Sequence, residues 1–100
     1  MKYRAQPPPF FGLLVISCAL WACSRTLLDH DELDDRSDLA VRTRWMIWLA
    51  LFSAGVRVAV IARELGTSQQ MIHWARNYAK LRDARAAEEF GKQLRKEIEA

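Results

Sequence analysis

An all-α fold is expected of this chain, on three observations. Its apolar residues recur at helical spacing, Pro7, Pro8, Pro9, Gly55 and Gly66 fall at the breaks between periodic segments, and no stretch shows the alternation of a half-buried strand. The expected architecture is a small trihelical bundle over residues 37–82. An N-terminal apolar helix and an acidic linker precede it in residues 1–36, and a C-terminal helical extension follows in residues 83–100. One hundred residues suffice for one small domain with little core to spare. Apolar residues form 51% of the chain and concentrate at 10–23 and 45–61, so those two segments must supply most of the interior.

The first element lies in "MKYRAQPPPFFGLLVISCALWACSR". Three prolines stop any helix before Phe10, and an apolar run then continues to Cys23, closed by Ser24 and Arg25. With Lys2 and Arg4 ahead of it, the run has the outline of a secretory signal. Val15-Ile16-Ser17-Cys18 resembles a bacterial lipobox, and Leu20-Trp21-Ala22-Cys23 does so less closely because of its tryptophan. As a span it is short: the helical run of residues 10–23 covers roughly 21 Å, against a hydrocarbon core of about 30 Å. A buried helix, an interfacial helix, a removed signal or a true start further downstream all fit better. Cys18 and Cys23 are five residues apart, on poorly aligned sides of a helix, and have no His or acid at ligand spacing. They are expected to be small buried hydrophobes, not a disulfide or a zinc site.

Residues 29–38, "DHDELDDRSD", lack apolar periodicity and read as a linker leading to an N-cap at Ser37 or Asp38. From there "DLAVRTRWMIWLALFSAG" runs without Gly or Pro to Gly55. Val41, Trp45, Trp48, Leu49 and Phe52 stand at i, i+4, i+7, i+8 and i+11, which predicts a helix with Gly55 as its stop. A short helix over about 58–65 is stopped by Gly66. Another begins after Thr67 and Ser68, either of which can cap it, and continues at least to Leu81. Beyond it, strong helix formers and a thin stripe of Phe90, Leu94 and Ile98 predict a separate helix or an extension.

The formal charge of +3 is a sum of unlike parts. Residues 29–38 hold six acids against Arg36. Residues 41–86 hold Arg42, Arg44, Arg57, Arg63, Arg76, Lys80, Arg82 and Arg85 against only Glu64 and Asp83. The positive charge therefore sits over the central helices, where a solvated face and a polyanion partner are the two readings.

Details of the turn favour the second. In "VAVIARELGTSQQMIHWA", Ile61 and Leu65 supply an inner face, Ala62 is small where helices approach, Gly66 can take a left-handed conformation, and Ile72 and Ala75 face inward from the next helix. These are the makings of a helix-turn-helix. The sequence resembles the homeodomain-like helix-turn-helix family of bacterial regulators and transposase DNA-recognition domains. The pattern is carried by Ala54-Gly55, Ile61-Ala62, Leu65-Gly66 and Ser68, over about residues 45–78. Relatives often have a large apolar residue at the position of Ala75, whereas here Trp74 comes one residue earlier. A weaker resemblance, over residues 40–80, is to the C subunit of the bacterial flagellar master regulator, whose cysteine-bearing C-terminal region is missing here. That subunit works in a hetero-oligomer.

On a helical wheel with Ile72 at the origin, Ala75, Ala79, Met71 and Tyr78 fall within about 120° to one side and are expected to face the other helices. Gln69, His73, Arg76, Asn77, Lys80 and, at the margin, Gln70 occupy the opposing sector, with Trp74 at the edge between the two. Every residue of that stripe can donate a hydrogen bond and none is acidic. Gln and Asn match adenine N6 and N7, Arg matches guanine O6 and N7, and Lys neutralises phosphate. Gln69, Gln70 and His73 are assigned to base reading, Arg76 and Asn77 to bases or phosphate, and Ser68 and Lys80 to phosphate.

No Gly-rich phosphate loop or nucleophile motif is evident, and His30 with Asp29, Asp31 and Glu32 is sequential rather than spaced for a metal. The expectation is a non-enzymatic, cofactor-free, cytoplasmic double-stranded DNA-binding protein of a bacterium, phage or mobile element. It would work as a homo-oligomer or with a hetero-oligomeric regulator partner, with the dimer contact supplied by Phe90, Leu94 and Ile98 or by the exposed part of the N-terminal apolar segment. The alternative is an envelope or membrane-anchored helical protein, exported or attached through residues 10–23, that binds a protein partner.

Overall fold

A computed structural model describes residues 6–99, and every regular element in it is helical. Five α-helices follow one another: α1 (Phe11–Thr26), α2 (Asp38–Ser53), α3 (Val58–Glu64), α4 (Gln69–Tyr78) and α5 (Leu81–Glu99), with a single 3-10 turn at His30–Glu32. Lys2 and Arg4 lie outside the described residues.

Helix α2 is the centre of the fold. Its six consecutive residues Met46, Ile47, Trp48, Leu49, Ala50 and Leu51 are all buried, which covers every direction around the helix axis. A helix that is apolar all round needs neighbours all round. Here α1, α3, α4 and α5 provide them, and their buried side chains join α2 in one cluster. The spacing of Val41, Trp45, Trp48, Leu49 and Phe52 gave only one stripe. Trp48 and Leu49 are indeed buried, but Val41 and Trp45 are half-buried and Phe52 is exposed, because the faces between them are also covered.

Local chemistry sets the element ends where the sequence placed them. Ser37 caps α2, its Oγ accepting from the Ala40 amide at 3.2 Å. Gly55 ends it at φ 99°, with the Val56 amide donating to the Leu51 carbonyl and the Gly55 amide to Phe52. Gly66 does the same for α3 at φ 68°, where the Thr67 amide reaches the Ala62 carbonyl at 2.9 Å. Both are Schellman closures, which need a left-handed residue and so favour glycine.

The apolar N-terminal run is a helix packed into this core. Leu14, Cys18 and Ala22 join the core cluster around α2, and Cys23 is buried as well. The Thr26 and buried Thr43 hydroxyls meet at 2.8 Å between the two helices. Cys18 and Cys23 are free, and burial pushes the Cys18 thiol up to about 12. Among the described residues no helix is long and apolar enough to cross a membrane.

The C-terminal segment is a helix in its own right, and it is part of the core. Ala87 and Gly91 are buried, Phe90 and Leu94 pack against the central cluster, and the Phe90 ring stacks on Trp21 of α1 at 4.7 Å between centroids. A Cβ added at Gly91 would fall on the Ala50 carbonyl oxygen and 2.6 Å from the Ser53 Cβ, so α5 lies against α2 more closely than any side chain there permits. Asp83, only 2% exposed, accepts both Arg42 Nε and Nη2, at 2.6 and 2.8 Å, and ties the start of α5 to α2. Of the stripe at Phe90, Leu94 and Ile98, Phe90 and Leu94 are half-buried against the core and Ile98 is exposed.

Candidate nucleic-acid interface

The candidate surface is the solvent side of α4, and its position follows from what α4 buries. Ile72 and Ala75 are fully buried, Met71 and Ala79 half-buried, and together they seat the helix against α2 and α3. That leaves Gln69, Gln70, His73, Trp74, Arg76 and Asn77 exposed. The helix starts at Ser68, whose Oγ accepts from the Met71 amide at 3.1 Å. The hydroxyl hydrogen of Ser68 is still free to donate outward.

Gln69, Gln70, His73 and Asn77 make no side-chain hydrogen bond among the described residues. Four adjacent exposed side chains with donors and acceptors unengaged can hydrogen-bond a surface laid along the helix. The first turn of α4 carries no acid, and free amides at its start favour a negative partner.

Three residues stand differently from the wheel's account. Tyr78 was expected to face the other helices and is 73% exposed. It is the last residue of α4, and the chain turns away at Ala79 in an extended conformation before α2 can cover the ring. Lys80 was placed on the same helix, continuing at least to Leu81. Instead α4 ends at Tyr78, and Lys80 lies at the start of α5, its carbonyl accepting from the Ala84 amide at 2.9 Å. Its side chain lines a cleft of about 520 Å³ with Leu39, Arg42, Trp45, Tyr78 and Asp83, beside the stripe and not in it. Arg76 is exposed, but its guanidinium lies 4.4 Å above the Phe52 ring of α2, a cation–π contact that turns it toward the α2–α5 side.

Sequence reasoning left Trp74 and Tyr78 out of the candidate set. Trp74 is 46% exposed, so two aromatic rings adjoin the polar stripe and offer flat apolar surface beside it. The signal was present for Trp74, at the margin of the wheel. For Tyr78 it was not, because it depends on where the helix ends. Among the described residues no group of three His, Cys, Asp or Glu could hold a metal ion.

Comparison with protein-family models, curated proteins and solved structures finds no match to this chain.

Proposed function

We propose that the chain binds double-stranded DNA sequence-specifically, with α2, α3 and α4 forming a helix-turn-helix and α4 entering the major groove, as a regulator of bacterial, phage or mobile-element transcription. The observation that carries this reading is the solvent face of α4, where Gln69, Gln70, His73 and Asn77 are exposed, acid-free and without a side-chain hydrogen bond among the described residues. The glycine turn between α3 and α4 and the Ser68 cap support it, since they have the spacing of the homeodomain-like motif. In this mode the first turns of α4 meet base edges, so Gln69, Gln70 and His73 read bases. Asn77 reaches bases or phosphate, and Ser68 contacts phosphate through its free donor. Lys80 serves as a flanking phosphate contact. Arg76 joins only by leaving the Phe52 ring or by offering its edge from above it.

The reading that residues 10–23 export or anchor the chain is less well supported. Cleavage ahead of Cys18 would remove Leu14, which is buried against the centre of the fold.

The test is DNA binding by the full chain, selected from random duplexes and followed across a salt series. Log affinity is expected to fall linearly with log salt, with a slope near −0.9 per phosphate contacted. Gln69→Ala is expected to cost about 1–3 kcal/mol on the selected site and little on random duplex. Absence of binding at low salt, or equal loss on both duplexes, would refute the assignment.

A further inference from the structure

Helix α1 is apolar on both faces. One is built into the core through Leu14, Cys18 and Ala22, while the other carries Phe10, Leu13, Ile16 and Leu20, each more than half exposed. Leu13, Ile16 and Leu20 stand at i, i+3 and i+7, one seam along the helix, and the only charge in α1 is Arg25 in its last turn. Side chains so exposed leave roughly 100 Å² each, so the seam with Phe10 offers about 400 Å² of contiguous apolar surface, at the upper range that monomers expose. Two such faces bury about 800 Å², short of the roughly 1,000 Å² of a standard specific interface and in keeping with a weak, reversible pair.

We infer that this face pairs with the same face of a second copy of the chain, the two α1 helices running antiparallel. Charge selects that occupant and that direction. Directly after α1, Asp29, Asp31, Glu32, Asp34 and Asp35 are all exposed, and Arg44 holds the segment in place by donating to the Asp35 carbonyl at 2.7 Å. An anionic lipid surface laid along α1 would meet those acids. The opposite end of α1 has no capping side chain and no acid in its first turn, and the sequence ahead of it holds Lys2 and Arg4. Antiparallel pairing sets each acidic run toward the N-terminal end of the partner's α1, which has no acid in its first turn and where negative charge is favourable, and a parallel pair would set acids against acids. Around a two-fold axis near Ile16, Leu13 packs against Leu20 of the other copy and Phe10 comes over the small Ser24.

The inference does not depend on the DNA reading and is tested without DNA. Light scattering and sedimentation of the full chain are expected to show a dimer at tens of micromolar, roughly the affinity an interface of this size supports. Ile16→Lys places two like charges at the axis and is expected to weaken the dimer by about 100-fold or more, with an unchanged helical spectrum because the side chain is exposed. Should that variant unfold, Leu20→Gln replaces it. Orientation is read by mixing Leu13→Cys and Leu20→Cys chains under mild oxidant, where the mixed disulfide is expected to exceed either homodimer; native Cys18 and Cys23 are buried. A wild-type chain monomeric throughout, or a dimer indifferent to Ile16→Lys and Leu20→Gln, overturns the proposal. Preferential Leu13→Cys homodimers overturn its antiparallel form. A monomer that sediments with phosphatidylcholine–phosphatidylserine vesicles overturns it and gives the face to lipid.

Discussion

Asp83 shows how much one side chain can hold in a small fold. The hydrogen bonds from Arg42 keep its carboxyl below the usual carboxylate range, and they outweigh the opposing effect of burial. Because the folded pKa is depressed, the pair's stabilisation is complete above the unfolded value of about 3.9 and is lost as pH falls through the lower folded value. Asp83→Asn strands a guanidinium with its partner removed. Since the Arg42 side chain is 32% exposed and keeps some solvation, the expected cost is about 2–3 kcal/mol, below the range for a fully buried pair. Urea titrations at pH 7 and pH 3 check this: the gap between wild type and variant is expected to narrow at the lower pH. Gln69 is the contrasting case. It is exposed and has no side-chain hydrogen bond among the described residues, so Gln69→Ala is expected to leave the stability within about 0.5 kcal/mol of wild type while DNA affinity falls. Arg76→Ala discriminates less well, because it also removes the contact with Phe52.

Among the elements, α5 against α2 is the tightest contact. Ala87 and Gly91 stand one turn apart and are both buried, and the space Gly91 leaves is already occupied by the Ala50 carbonyl and the Ser53 Cβ of α2. Gly91→Ala forces the helices apart and is expected to destabilise by about 1–3 kcal/mol, despite alanine's higher helix propensity. Thermal unfolding followed by circular dichroism measures it, and an unchanged or higher midpoint would refute the close approach. The starts of α2 and α4 were legible in Ser37 and Ser68, and the ends of α2 and α3 in Gly55 and Gly66, since capping is chemistry between near neighbours. The end of α4 was not legible. Nothing local in "NYAKLRDA" breaks a helix, and the turn at Ala79 allows α5 to run back along α2.

For the whole molecule, the question is what folds alone. Residues 37–82 have the outline of a domain in the sequence. In the structure the helix at their centre is covered on one side by α1 and on another by α5, including the Asp83 carboxylate that pairs Arg42. A fragment of residues 37–82 would uncover the side of α2 that Gly91 of α5 covers at Ala50 and leave Arg42 without Asp83. It is expected to show little cooperative unfolding by calorimetry, in contrast to the full chain. A sharp transition in the fragment would mean that the outer helices are accessory. Local pattern by itself determined that the chain is all-α, where most helices start and stop, and which side of α4 stays polar, because each depends on residues within a turn or two. Tertiary structure alone decided that α2 is buried all round, that the N-terminal and C-terminal helices complete its burial, and that Tyr78 and the outer face of α1 are left uncovered. Those outcomes depend on which apolar faces meet across long sequence separations, and an amphipathic pattern does not specify its partner.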